Sequence, residues 1–423
     1  MRNRLKALAL VLSFSATTAF ANAASPRDVI DGYADLALAK YSDSLSTAQT
    51  LNKAIEAFLA APSAETHGAA KDAWLASRVP YQQTEAYRFG NKVVDEWEGK
   101  VNAWPLDEGL IDYVDTGFYG KESEENGFFL ANIVANASLK VGGQTVDAAQ
   151  ITPSVLQQLH EIDGVEANVA TGYHAIEFLL WGQDTNGTEA GAGSRPHTDF
   201  ALDNCTNGNC DRRAAFLKAA TQLLVDDLKD IVAAWEENGA ARADLAAQSD
   251  AQGLSSILTG LGSLSYGELA GERMKLGLIL HDPEEEHDCF ADNTHNSHFY
   301  DALGIQNVYH GRYVRPNGEV MNVASLSDLT RGIDPDLDTQ MTGKLKATMA
   351  SMQVMKDRAD KGIEAYDQMI GAGNTEGNAI VQNAIDALVD QTRTIETLVA
   401  ALNAAKINVE GSDSLDNPGA VFE

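Results

Sequence analysis

The sequence predicts an all-α fold made of two similar helical-bundle halves. Apolar residues recur at helical spacing through most long segments, and no stretch shows the strict alternation typical of a half-buried strand. A weak internal repeat favours two halves, because residues 171–184 align with residues 270–283. Long helices joined by short connections pack most simply as bundles. We therefore expect residues 25–204 to form an N-terminal bundle and residues 205–423 a C-terminal bundle.

The apolar pattern also predicts where the helices lie. Ser63 is a good N-cap, Pro80 is expected to kink the helix that follows, and Pro335 is expected at the first position of a long helix. Two stretches, 90–127 and 284–318, are expected to be mostly irregular. The predicted helices cover residues 28–59, 63–89, 128–137, 153–162, 165–181, 212–237, 240–258, 266–281, 335–370 and a last segment around 381–402.

The composition is that of an acidic globular protein. The chain has 423 residues, of which 44% are hydrophobic, so it can bury a sizeable core. Its formal net charge of −30 repels nucleic acid and anionic lipid and favours cations or basic ligands. A nucleic-acid partner is therefore excluded.

Residues 1–24 have the pattern of a secretory signal peptide. Basic residues come first, a short apolar segment follows, and Ala-x-Ala cleavage patterns end it. No cysteine follows for a lipid anchor, and no later apolar run is long enough to span a membrane. We expect an exported protein of the periplasm or cell envelope. In that oxidising compartment Cys205 and Cys210, which bracket a turn-forming Thr-Asn-Gly-Asn, are expected to form a disulfide.

Residues 171–184 place two titratable residues in an apolar run. His174 and Glu177 are three positions apart, so a helix projects them from one face. Burying both is costly unless they are hydrogen-bonded, paired or bound to a metal. Two interpretations stay open: a cation shared within a helical bundle, or a His–Glu hydrogen bond inside the core.

Two earlier stretches carry further candidates. Arg78, Tyr81 and Glu85 recur at i, i+3 and i+7, which places them on one helix face. Trp104 stands in a Trp-Pro-Leu-Asp segment that ends at Asp107. Each stretch is either an aromatic-packed structural region or part of a binding site.

The tract 281–298 collects histidines and carboxylates. Glu284-x-x-His287 has the spacing of a di-iron helix motif, although Asp282-Pro283 before it favours a turn. Arg273 is the expected partner of Glu285 or Asp292, and Cys289 is expected to be a buried thiol. The alternative to a site is a set of charged contacts that fix a long loop. The candidate ligand-binding or supporting residues are Arg273, Glu285, His287, Asp292 and His295.

Several familiar chemistries have no support. The chain lacks His-Glu-x-x-His, Gly-x-Ser-x-Gly and a Gly-x4-Gly-Lys phosphate loop. Zinc-protease, serine-hydrolase and nucleotide chemistry of those types are therefore not predicted.

Four ordered blocks resemble the imelysin family of exported bacterial proteins, over roughly residues 30–410. The tract 284–295, with Gly-Glu-Arg-Met at 271–274 before it, resembles the branch called iron-regulated protein A. The other matching blocks are Trp74-x3-Arg78-x-Pro80-Tyr81-x3-Glu85, Asn102-Ala-Trp-Pro-Leu-Asp107-Glu108, and Gly172-x-His174-x-x-Glu177 followed by Phe-Leu-Leu-Trp-Gly-Gln-Asp.

The resemblance implies two duplicated four-helix bundles, with the Gly-x-His-x-x-Glu signature near their interface. It also implies a role in bacterial iron acquisition and a classification with M75-type metallopeptidases. Metal-binding relatives add acids from earlier blocks to the signature pair. Carried over by position, the implied metal ligands are His174, Glu177, Glu85 and Asp107, with Gln82 where some relatives have a glutamate.

One imidazole with two or three carboxylates suits iron, manganese or zinc. We expect a divalent or ferric metal ion, iron before zinc, or an iron-loaded small ligand. An iron-transport protein of the outer or inner membrane is the expected protein partner. The alternatives are an imelysin-type metallopeptidase and a protein that binds a peptide, glycan or partner protein without metal. Binding is preferred over catalysis because no residue is identified as the general base.

Overall fold

The computed structural model describes residues 24–141 and 144–422, and this part of the chain is all-α, as predicted. Its strands form two short antiparallel pairs, β1 (Ser138–Val141) with β2 (Gln144–Asp147) and β3 (Arg312–Val314) with β4 (Val320–Asn322). The α-helices are α1 (Pro26–Ala60), α2 (Ala64–Gln82), α3 (Lys92–Asn102), α4 (Glu108–Ile111), α5 (Pro153–Leu159), α6 (Gly172–Trp181), α7 (Cys210–Trp235), α8 (Ala240–Ala247), α9 (Asp250–Ser263), α10 (Leu276–Leu280), α11 (Thr294–His310), α12 (Leu326–Ile333), α13 (Pro335–Asp360), α14 (Tyr366–Ile370), α15 (Thr375–Ala401) and α16 (Asp413–Asp416).

The predicted signal peptide, apart from its last residue Ala24, lies outside the described residues. Within them, no helix is both long and apolar enough to cross a membrane. Cys205 and Cys210 form the predicted disulfide.

The first two helices begin where their caps predict. Ser25 and Asp28 exchange hydrogen bonds at the start of α1, and Ser63 and Thr66 do the same at the start of α2. α1 packs along α2 and α7, and α7 also contacts α3 and α6. α7 follows the predicted boundary at residue 204 and packs against helices that precede it. The division into halves at that residue stays a prediction.

Among the later helices, α13 and α15 pack against each other. α9 continues into a π-helical segment, Leu264–Lys275, which packs on α15 and leads into α10. α11 contacts both α13 and α2, so it joins the later helices to the earlier ones. The buried apolar side chains form one contiguous core through the whole described chain.

Several helix predictions were wrong in place or extent. The helix expected over 165–181 begins at Gly172, and the stretches 240–258 and 335–370, each expected as one helix, contain two helices each. α3 and α11 occupy stretches expected to be irregular, and residues 128–137 form turns instead of a helix. The helix from Ser63 ends at Gln82, before the predicted Phe89, and Glu85–Tyr87 forms a separate 3₁₀ turn. Short polar helices are hard to read because tertiary packing decides them more than periodicity does.

α6 is held at a fixed place by backbone contacts at its first residue. Gly172 has φ +79°, and a Cβ there would lie 2.4 Å from the carbonyl oxygen of Val101 on α3. Trp74 on α2 donates its indole N–H to the carbonyl of Tyr173 at 3.0 Å. The glycine of the signature therefore sets how closely α6 approaches α3, and so positions the histidine two residues later.

Candidate metal centre

The His–Glu pair of the signature is buried and directly hydrogen-bonded. His174 Nδ1 and Glu177 Oε2 are 3.0 Å apart, and the two residues are 1% and 0% exposed. The other oxygen of Glu177 accepts the backbone N–H of Ala291 at 3.0 Å. The second ring nitrogen of His174, Nε2, is buried without a hydrogen-bond partner. A buried orphan nitrogen of this kind calls for an explanation, and a metal ion is one.

The loop before α11 brings a second imidazole and a carboxylate to this histidine. The rings of His174 and His287 lie 4.7 Å apart, centroid to centroid. Among the described residues, the donor atoms of His174, His287 and Asp288 lie within 4.8 Å of one another, and all three residues are buried. Two imidazoles and one carboxylate are a donor set that ferrous iron takes.

Arg78 on α2 neutralises the carboxylate of this cluster. Its Nη2 donates to Asp288 Oδ1 at 2.7 Å, and its Nη1 donates to Asn102 Oδ1 at 2.7 Å. The second oxygen of Asp288 accepts hydrogen bonds from Asn293 and Ser297. Arg78 Nε also donates to Oδ2 at 3.4 Å, so four donors meet the about four acceptor positions of the carboxylate. Asp288 would have to release one of these donors to bind a metal ion.

The environment sets the protonation of the cluster. Burial, assisted by Arg78, lowers the pKa of His174 to about 3, and burial lowers the pKa of His287 well below its ordinary value. Burial alone would raise the pKa of Asp288, but Arg78 and His287 hold it well below the usual range. Both imidazoles are therefore neutral at neutral pH, which is the form that ligates metals.

Glu177 behaves differently from Asp288. Burial, with Asp288 nearby, raises the pKa of Glu177 well above its usual range. A proton on Glu177 can then make the hydrogen bond to His174 Nδ1. A neutral imidazole has one N–H, so while Glu177 donates to Nδ1 that N–H lies on Nε2. If the Glu177 proton moves to Nδ1 and the Nε2 proton is released to solvent, Nδ1–H donates to the Glu177 carboxylate and Nε2 has a free lone pair.

Glu85 lies in a neighbouring ion-pair cluster. Its Oε2 accepts from Arg273 Nη2 at 2.7 Å, and Arg273 also pairs with Glu268 and Asp301. The expectation that Arg273 pairs with Glu285 or Asp292 was therefore wrong. Arg273 lies on the π-helical segment, and its guanidinium pairs there with the carboxylate of Glu85 on the 3₁₀ turn.

Asp107 also has partners of its own. It accepts hydrogen bonds from Asn126 at 2.5 Å and Tyr119 at 3.3 Å, and it lines a cavity of about 560 Å³. Trp104 lines the same cavity and lies 5.7 Å from the ring of His287, centroid to centroid. The structure thus places Trp104 between the cavity and the histidine cluster, whereas Asp107 faces the cavity.

The remaining candidate residues from the sequence are Tyr81, His295, Glu285 and Asp292. Tyr81 is fully buried with its ring 4.8 Å from that of Tyr173, centroid to centroid. His295 is buried in the first turn of α11, and its Nε2 lies 3.0 Å from Asn296 Nδ2. Burial raises the pKa of Glu285 to about 6 and that of Asp292 to about 7.

Two important residues were not among the candidates. Asp288, the carboxylate of the cluster, follows His287 directly, and its position inside the acidic tract was the available signal. Asn102, which accepts from Arg78, ends α3. Its role depends on packing between α2 and α3, which no spacing in the sequence reveals.

Comparison with known proteins decides the family. A family model described as imelysin matches residues 37–395. The chain belongs to the imelysin family. This imelysin-family chain is also 29% identical, over 101 residues, to iron-regulated protein A from Synechococcus elongatus. That match covers 23% of the chain and 28% of the relative, so it spans little more than a quarter of the relative's length.

Two solved structures share the fold of this imelysin-family chain. One is from Parabacteroides distasonis ATCC 8503, described as an iron-regulated protein A precursor, with a TM-score of 0.62 and 18% identity. The other is an imelysin-like protein from Psychrobacter arcticum 273-4, with a TM-score of 0.56 and 17% identity. Each comparison covers 90% of this chain and 97% of the other chain.

Proposed function

We propose that this protein is an exported, iron-linked binding protein that holds a metal ion, or a small ligand loaded with one, at His174, His287 and Asp288. The observation that carries the proposal is the buried cluster of His174, His287 and Asp288, whose donor atoms lie within 4.8 Å of one another. The buried Nε2 of His174, which has no hydrogen-bond partner, supports it. The names of the relatives support the link to iron. Export is supported by the signal-peptide pattern of residues 1–24.

The residues present suit the ion chemically. Two neutral imidazoles and a carboxylate match iron, manganese or zinc, and ferrous iron accepts this combination readily. Glu177 would orient the His174 ring through Nδ1, as carboxylates do behind metal-bound histidines. Glu85 and Asp107 stay candidates, but each would first have to release its present partner, Arg273 or Asn126.

The positive charge of Arg78 shapes what the site can take. It lies 2.7 Å from Asp288 and opposes a second cation. A metal that arrives with anionic ligands meets less repulsion than a bare ion. This favours a metal-loaded small ligand, delivered or received by an iron-transport partner.

Anaerobic titration with ferrous iron tests the proposal. The wild type is expected to bind one ion, and His174→Ala and His287→Ala are each expected to lose that binding. His310→Ala is the matched control, because His310 ends α11 and belongs to no part of the cluster. Equal iron affinity in the wild type and both cluster variants, with folding verified by circular dichroism, would refute the site.

A second candidate function is metal-independent binding of a peptide, glycan or partner protein. The direct His174–Glu177 hydrogen bond favours it, since such a bond satisfies the pair without an ion. The cavity of about 560 Å³, lined in part by Trp104, Phe118 and Tyr119, would then be the binding site. Ligand binding that survives chelation and His174→Ala, but not Trp104→Ala, would support this alternative.

A further inference from the structure

A narrow recess opens beside the large cavity and is lined by acids. It shares Glu108, Glu284 and Cys289 with the cavity wall, and it offers about 10 Å³, room for the centre of one water molecule or bare ion. We call it the acidic recess. Five carboxylates line it, those of Glu108, Asp184, Glu284, Glu286 and Asp367.

The acidic recess has no compensating cation in the part of the chain that the structure describes. Its lining includes no lysine, arginine or histidine, and none of its five carboxylates has a basic side chain within ion-pair distance. The remaining lining residues are Gly187, Pro283, Cys289 and Phe290. Up to five negative charges therefore surround a recess that holds the centre of only one water molecule or ion.

Three of these carboxylates are almost completely buried. Glu108 and Glu286 are each 1% exposed, and Asp367 is 2% exposed. Both oxygens of Glu286 and of Asp367, and Oε2 of Glu108, are buried without a hydrogen bond of ordinary geometry. Thr294 and nearby backbone N–H groups favour the charged forms only in part. Unpartnered buried carboxylates of this kind are costly in a folded protein.

The carboxylates also repel one another. Burial, with Asp282 and Asp184 nearby, raises the pKa of Glu284 to about 7. Burial, with Asp184 among its neighbours, raises the pKa of Asp367 to about 7. A bound cation would relieve the repulsion and supply the missing partners at once.

We propose that the acidic recess binds one multivalent metal cation that prefers oxygen ligands. The recess is too small for a guanidinium group, and a single ammonium charge would leave most of the carboxylates uncompensated. All the anionic donors are oxygens, which calcium, magnesium and manganese select. Cys289 also lines the recess, as a free thiol that is half-buried and not fully buried as expected.

The carboxylates must move to close around the ion. Among the described residues, no three of the recess acids have oxygens within 4.8 Å of one another, unlike the donors of the histidine cluster. Binding therefore draws the side chains inward or bridges some of them through water. This site is separate from His174, His287 and Asp288, so its success or failure does not depend on the proposed function.

Calcium and manganese titrations on the full mature protein test the inference. Wild type is expected to bind one calcium ion by calorimetry and to melt at a higher temperature with it. Because manganese can also occupy the histidine cluster, the one-ion expectation for manganese applies to the His174→Ala, His287→Ala double variant. Glu286→Gln with Asp367→Asn removes two recess charges while keeping side-chain shape, and at least a tenfold loss of affinity is expected. Glu122→Gln with Asp203→Asn, two exposed acids without a contact in the described structure, is the charge-matched control and should bind as wild type does.

Folding can be separated from binding in this experiment. The Glu286→Gln, Asp367→Asn variant removes two of the carboxylates that repel one another. Without metal it should therefore melt at or above the wild-type temperature. A loss of metal affinity in this variant would then not be due to unfolding. The inference is overturned if wild type binds neither metal, if the double variant binds as wild type does, or if spermidine stabilises the protein and the metals do not. It is also overturned if His174→Ala with His287→Ala abolishes the binding while the recess variant keeps it.

Discussion

Arg78→Met is the most informative single change at the candidate centre. Arg78 is 1% exposed, its partner Asp288 is 0% exposed, and their closest atoms are 2.7 Å apart. Methionine fills much of the same space but carries no charge and donates no hydrogen bond. The variant would leave Asp288 charged and buried without its main partner, and Asn102 Oδ1 without its donor.

The expected loss of stability follows from that burial. Removing one partner of a buried ion pair costs about 3–5 kcal/mol, because the other charge stays uncompensated. Replacing both partners should cost much less, since no buried charge remains. We therefore expect Arg78→Met with Asp288→Asn to be more stable than Arg78→Met alone by about 2 kcal/mol or more.

Urea unfolding at pH 7 measures these differences as a double-mutant cycle. The exposed pair Lys92–Glu96, whose side chains are 82% and 67% exposed, is the matched control. Lys92→Met should change the free energy of unfolding by less than about 0.5 kcal/mol. A loss below about 1 kcal/mol for Arg78→Met, or simple additivity of the two single variants, would refute this account of the ion pair.

Three further predictions follow from particular contacts. Gly172→Ala should lower the melting temperature markedly, because a Cβ would lie 2.4 Å from the Val101 carbonyl oxygen, whereas Gly343→Ala, which meets nothing within 4 Å, should not. Burial lowers the pKa of Lys40 to about 7, so the folded state binds fewer protons than the unfolded state from pH 7 upward. Through Lys40 alone, the free energy of unfolding should therefore rise by up to about 3 kcal/mol between pH 7 and 9.5. Urea unfolding at several pH values measures this rise. The prediction is contradicted if the free energy of unfolding of Lys40→Met changes with pH as steeply as that of wild type. Glu177→Gln should reduce ferrous-iron affinity about 10- to 100-fold by loosening the His174 ring; unchanged affinity in the anaerobic titration would show that Glu177 does not orient the ligand.

Helices with strong signals could be read from the sequence. Ser63 and Pro335 mark the starts of α2 and α13 because capping and proline chemistry act over a few neighbouring residues. α3 and α11 could not be read in this way. They are rich in polar and charged residues, and packing against α7 and α13 stabilises them as helices.

At the candidate metal centre, too, local features could be predicted from the sequence and contacts that depend on packing could not. The spacing of His174 and Glu177 correctly predicts two side chains on one face of a buried helix, because helical geometry is local. The partners of Glu85 could not be predicted from spacing. They depend on the end of α2 at Gln82 and on the π-helical segment that carries Arg273.

The sequence by itself determined the all-α class, the imelysin resemblance, the Cys205–Cys210 disulfide and the buried His–Glu pair. Each depends on composition, short spacing or ordered motifs, which the chain carries locally. Only the tertiary structure decided that His287 and Asp288 complete the cluster with His174, and that five carboxylates meet in the acidic recess. Members of each group come from distant parts of the chain, so only packing could bring them together: α6 meets the loop before α11 at the cluster, and α4, α14 and two loops meet at the acidic recess.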